Sequence, residues 1–173
     1  MDRRLELIAE MSPAIWIHLV AVAIAVFLGA AVLLGRKGTK THKLMGRIWA
    51  GLMVIGAVST FWIMEIFDRS YSPIHILSVY TLISVVAGLR AIRAGRVAAH
   101  RRHMISLYAT GLVIAGGFTF LPNRLLGRLT FGETYPVVNY VFIALVVTLG
   151  IYLYYLSFRS QPEDAVQGRN AAE

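Results

Sequence analysis

The chain contains no cysteine, which removes disulfides, thiolate metal sites, iron–sulfur clusters and thiol catalysis from consideration. Acidic groups are scarce, nine Asp and Glu against 17 Lys and Arg. None lies near the middle of an apolar run, so a carboxylate-based proton carrier lacks its central group. No carboxylate cluster for hydrolysis and no Ser-His-Asp arrangement is present. A phosphate-cradling loop is also absent: Gly111 and Gly116-Gly117 stand inside an apolar run and read as helix-packing glycines. The net charge of +8 does not imply nucleic acid, because its distribution follows membrane topology.

What is plentiful is apolar sequence, 57% of the 173 residues. A helix needs about 20 apolar residues to cross a hydrocarbon core. Five segments qualify: Ala14–Leu34, Leu44–Phe67, Ile74–Ala94, Met104–Leu121 and Val137–Phe158. All are expected to be helices, since an isolated strand leaves its backbone unsatisfied in lipid. The fold class is therefore an all-α integral membrane protein, a five-helix transmembrane bundle with an internal repeat of two helical hairpins. Ser12-Pro13, Gly35, Thr39, Ser72-Pro73, Gly95 and Pro122 punctuate the helix ends. Residues 1–13 form an outer segment with a short interfacial helix, 14–158 the transmembrane domain, and 159–173 a disordered cytoplasmic tail. Arg3 and Arg4 precede a run long enough to span, so the amino terminus does not read as a cleavable signal.

Charge sets the expected orientation. The side holding the loops after segments one and three carries 12 cations against three acids, a net of +9. The other side carries five cations against six acids, a net of −1. The positive-inside rule then places the amino terminus outside and the carboxyl terminus in the cytoplasm of a bacterial inner membrane.

Four histidines fall into two matched pairs. His18 and His42 bracket the first segment, and His75 and His100 the third. His18 and His75 then share one face of the membrane, and His42 and His100 the other. From helix rise the two levels stand some 20–25 Å apart, which suits two stacked bis-histidine haems. His18, Ala21, Ala25 and Gly29 form one helical stripe, and small residues at that spacing mark close helix contact. His42, Gly46, Met53, Gly56 and Thr60 form a second. His103 leads a polar stripe of Ser106, Thr110 and Gly117. Zinc or copper binding, proton handling and simple interfacial capping are the competing readings for the histidines. The His100–His103 spacing makes a poor dication site because Arg101 and Arg102 flank it. Arg47 suits a lipid phosphate, a carboxylate or a haem propionate. Trp16, Trp49, Trp62, Tyr71, Tyr152, Tyr154 and Tyr155 read as interfacial belts.

The stretch Thr41–Trp49 (THKLMGRIW), Ser72 to His75 (SPIH), and His100 to Met104 (HRRHM) followed by Pro122 to Arg124 (PNR) resemble motifs of a bacterial membrane-protein family, domain of unknown function 2306. The resemblance spans roughly His18 to Arg128 and implies a multi-pass helical architecture without an assigned activity. In the family's last motif a tryptophan stands where this chain has His103, which favours His100 as the functional histidine. The layout is also similar to cytochrome b561, whose central helices carry two haems through histidines on alternate helices. The functional expectation is a small b-type di-haem electron carrier with a quinone or a membrane redox protein as partner. His18, His75, His42 and His100 would serve as iron ligands, with Arg47 contributing to cofactor binding. The alternatives are a non-enzymatic subunit or transporter whose histidines bind protons or a metal, and a structural accessory subunit.

Overall fold

The computed structural model describes residues 8–9, 11–63, 73–121, 124–131 and 136–159. Helix α1 spans Pro13–Leu34. Ser12 caps it, its hydroxyl accepting from the Ile15 amide at 3.4 Å, and Pro13 supplies a fixed φ where no amide donor is needed. At its other end Gly35 donates to the Ala31 carbonyl at 2.9 Å. The Lys37 ammonium donates to the Val32, Leu33 and Gly35 carbonyls, placing a cation at the negative end of the helix dipole. Helix α2 spans Lys40–Ser59 and is capped by Thr39, which accepts from the His42 amide at 3.1 Å.

Within the described residues helix α2 closes near Trp62, and residues 64–67 of the expected span lie outside them. A 3-10 turn at Thr60–Trp62 closes the helix. The Ser59 and Thr60 hydroxyls donate to the Gly56 and Ala57 carbonyls at 2.8 and 2.7 Å. Such back-bonding competes with regular helix propagation. Tyr71 and Ser72, to which the sequence assigned places, lie outside the described residues, as do the tail beyond Arg159 and most of the amino-terminal segment.

Helix α3 spans Pro73–Arg93 and α4 Val97–Leu107. Gly95, at φ +72°, joins them: its amide donates to Ile92 O at 3.1 Å and that of Arg96 to Ala91 O at 2.9 Å. This is the Schellman arrangement, in which a left-handed residue closes a helix. The fourth span therefore starts at Val97 and not at Met104; Arg101 and Arg102 are helical and exposed, so their charges do not end the helix. It continues through a π-helical stretch, Tyr108–Ile114, into the short helix α5, Ala115–Phe118. Helix α6 (Leu125–Phe131) leads to α7 (Pro136–Arg159).

Among the described residues three helices are long and apolar enough to cross a membrane, Pro13–Leu34, Lys40–Trp62 and His75–Arg93. Helix α7, 24 residues long, is apolar over its described stretch Val137–Tyr152, and the fourth span is broken into α, π and α portions. Helix α1 packs mainly on α2 and α3 mainly on α4; α2 meets α3, and the π stretch returns to α1, closing a ring of four. Helix α7 packs outside that ring, against the π stretch and α4. Its Gly150 allows this: a Cβ there would stand 2.6 Å from Ile114 and 3.3 Å from the Ala109 carbonyl. Exposed apolar side chains such as Phe27, Ile76 and Leu145 cover the outside, as a lipid-facing surface requires.

The core lies at mid-height. Ala25, Trp49, Ala50, Met53, Val85, Leu107, Tyr108 and Leu112 form one buried cluster. The small stripe of α1 is buried as its spacing implies, with Ala21, Ala25 and Gly29 all inside. Trp49 departs from the expected interfacial belt. It is buried, and its indole donates to the Ala25 carbonyl at 3.0 Å. The gap above Gly29 admits it: a Cβ on Gly29 would lie 2.5 Å from Trp49 Nε1 and 2.7 Å from the Tyr108 ring. Trp16, Trp62, Tyr152, Tyr154 and Tyr155 are exposed.

Candidate functional site

Imidazoles gather at both ends of the ring. His18, on α1, directs Nδ1 at the Gly56 carbonyl (2.9 Å) and at the Ser59 hydroxyl (3.3 Å) of α2. A carbonyl can only accept, so Nδ1 carries the proton and Nε2 is the unprotonated nitrogen of the neutral ring. Gly56 makes this approach feasible, since a Cβ there would meet Val22 at 3.1 Å. His75, at the start of α3, stacks on Phe61 with centroids 5.6 Å apart and planes tilted by 55°. Both histidines therefore rest on the closing turn of α2, from Gly56 to Phe61. Beside them Thr60 and Ser78 share a buried hydroxyl bond of 2.6 Å.

At the opposite end His100 repeats the His18 geometry. Its Nδ1 lies 2.9 Å from the Gly88 carbonyl of α3. A Cβ on Gly88 would run into the Met104 methyl and lie 3.2 Å from His103 Cβ. Close approach of α3 and α4 again exposes a glycine carbonyl to an imidazole. His42 lies within electrostatic reach of Lys37 and His100, with the Val32 carbonyl beside its ring. Its Nδ1 is buried without a hydrogen-bond partner, and an unsatisfied buried nitrogen of this kind calls for a ligand or water.

The fold thus places His42 and His100 at one end, within electrostatic reach of each other, and rests His18 and His75 on one turn at the other. Arg47 is exposed on α2, about 140° around the helix from His42 at 100° per residue. Among the described residues no three His, Asp or Glu side chains converge as a metal site.

Several residues carried no signal in sequence. Gly56 was legible only as a packing position, and Gly88 not at all as an acceptor. The stripe led by His103 is split. Thr110 donates to the Ser106 carbonyl at 2.8 Å, while Gly117 faces α7, where a Cβ on it would lie 3.1 Å from Val146. The intervening π stretch shifts the register by its i→i+5 bonding. A Cβ on Gly116 would meet nothing within 4 Å, so it is not a packing glycine, whereas one on Gly111 would lie 3.5 Å from the Met53 methyl. Asn139, fully buried on α7, donates to the Phe120 carbonyl at 3.2 Å and leaves Oδ1 unpaired.

A family model described as "Predicted membrane protein (DUF2306)" matches residues 15–158. The chain belongs to this family. Membrane residence follows from the family together with the apolar spans, and the match reaches beyond the His18–Arg128 stretch that carried the sequence resemblance. No curated protein and no solved structure matches the chain. The family description assigns no activity, so chemistry has to be argued from the histidines.

Proposed function

We propose that this family member is a small transmembrane b-type di-haem electron carrier. His18 and His75 would hold one haem and His42 and His100 the other. The observation that carries the reading is the matched pose of His18 and His100. Each commits Nδ1–H to a glycine carbonyl, at 2.9 Å in both cases, and keeps Nε2 for another partner. Metal-bound histidines adopt this state almost always, because the carbonyl fixes the tautomer and raises the basicity of the ligating nitrogen. The unpaired Nδ1 of His42 supports the same reading at the opposite end. Haem iron would supply one-electron chemistry, with its potential tuned by axial ligands and burial.

The chain's own contribution is to hold four imidazoles at two levels and exclude water between them. The mid-height cluster of Trp49, Met53, Leu107 and Tyr108 separates the levels with apolar side chains. Lys37 beside His42 offers a cation to a propionate at that rim, and Arg47, exposed on another face of α2, offers one to a propionate or a lipid phosphate. The charge split supports a cytoplasmic location for the His42 end, in a bacterial inner membrane. A quinone or a membrane redox protein would exchange electrons with the carrier. The test is the dithionite-reduced visible spectrum of protein purified from haem-replete cells. Sharp low-spin α and Soret bands are expected, and a colourless preparation would overturn the reading.

A further inference from the structure

A group of hydroxyls stands apart from the histidines on the side of the ring that faces lipid. Tyr80 of α3 is 38% exposed, and its phenol lies 3.1 Å from the Ser106 hydroxyl of α4. The Thr110 side chain lies near the same phenol, and Ser84 near it on the buried side. Thr110 donates its proton to the Ser106 carbonyl at 2.8 Å, so towards its neighbours it acts as an acceptor. By helix rise Tyr80 sits about 10 Å in from the start of α3 and about 20 Å from its end. Phospholipid phosphates stay at the interfaces and do not reach that depth.

Hydroxyls in hydrocarbon are costly unless bonded. The Tyr80 phenol has hydroxyl neighbours from two helices and still presents over a third of its surface outward. Its proton can rotate from a neighbouring hydroxyl to an acceptor arriving from the bilayer. Thr110 lies within the π stretch and Ser106 in α4 two residues before it, a backbone departure that recurs at functional sites. One turn further along α3, Leu82, Ile83, Val86, Ala87 and Arg90 line a lipid-side groove of about 360 Å³, apolar except at its Arg90 end. An apolar trough beside a few convergent polar groups has the general make-up of a small-molecule site.

We propose that the Tyr80 and Ser106 hydroxyls, which share one hydrogen bond and leave one proton free to turn outward, bind a carbonyl of a membrane quinone whose apolar body lies along the Ile83–Ala87 groove. A quinone suits the site because it is apolar enough to reach mid-bilayer yet keeps strong acceptors and no charge. The inference extends the electron-carrier reading by assigning the place where its partner docks.

The test is a binding measurement that needs no redox activity. Full-length protein in nanodiscs of neutral phospholipid is equilibrated with decylubiquinone, and retained quinone is measured against protein-free nanodiscs. One saturable equivalent per chain is expected. Tyr80→Phe and Ser106→Ala should each weaken binding about tenfold, the loss expected for one buried hydrogen bond. Tyr140→Phe, which removes an exposed phenol from α7, should leave binding unchanged. Two independent hydroxyl variants guard against one that folds poorly. No excess retention, or equal affinity in Tyr80→Phe, Ser106→Ala and the parent, would overturn the proposal. Displacement of the quinone by added anionic phospholipid at equal concentration would also overturn it, assigning the groove to lipid. Because the readout is retention, its failure leaves the haem spectrum to be judged separately.

Discussion

Three glycines show how single residues decide what this bundle can bring together. Gly29 leaves room for Trp49 and Tyr108, Gly56 exposes a carbonyl to His18, and Gly88 does the same for His100. Adding a methyl at Gly29 forces the indole and phenol rings away from α1, and overpacking of this kind costs about 1–3 kcal/mol. Gly29→Ala should therefore lower the thermal midpoint in detergent by several degrees, while Gly116→Ala, with nothing within 4 Å, should not lower it. Equal midpoints would mean that α1 does not approach Trp49 closely. The left-handed Gly95 makes a second case at this scale. A side chain at φ +72° costs about 1–2 kcal/mol, so Gly95→Ala should destabilise the α3–α4 hairpin measurably in a denaturant titration. No change would argue against the Schellman turn.

At the scale of elements, the sequence was legible where a simple period or a cap residue governed the outcome. Ser12 and Thr39 cap the helices they precede, and the Ala21, Ala25 and Gly29 stripe is buried, because small residues at helical spacing admit a neighbour. Replacing Ala25 with Leu should cut folded yield in size-exclusion chromatography far more than replacing Phe27 with Leu, since Phe27 is 77% exposed. Comparable yields would place the stripe towards lipid. Other features were hidden because composition does not encode them. Trp49 looks interfacial by type, and only the gap above Gly29 in a different helix makes it a core residue. Hydropathy carries Leu44–Phe67 as one span; within the described residues, hydroxyl back-bonding at Ser59 and Thr60 accompanies the 3-10 turn that closes α2 near Trp62. The π stretch from Tyr108 to Ile114 leaves no mark in sequence, and it is what divides Thr110 from Gly117. The histidine spacings pointed to two levels, whereas the glycine carbonyls that orient His18 and His100 required the packing to be known.

For the whole molecule, the charge split predicts a cytoplasmic carboxyl terminus, and a reporter fused after Glu173 should be active only inside; periplasmic activity would reverse the bundle. The claim on which the functional account turns is that imidazoles from alternate helices act in pairs, one pair at each end of the ring. Haem per chain in the five single histidine-to-Ala variants tests this directly. The parent should carry two equivalents. His18→Ala and His75→Ala should each lose about one, His42→Ala and His100→Ala should each lose the other, and His103→Ala should keep both, since a lone imidazole leaves the iron's second axial position open. Loss from His103→Ala with retention in His100→Ala would contradict the pairing at the Lys40 end. Spectra identical to the parent in all five variants would contradict the carrier itself.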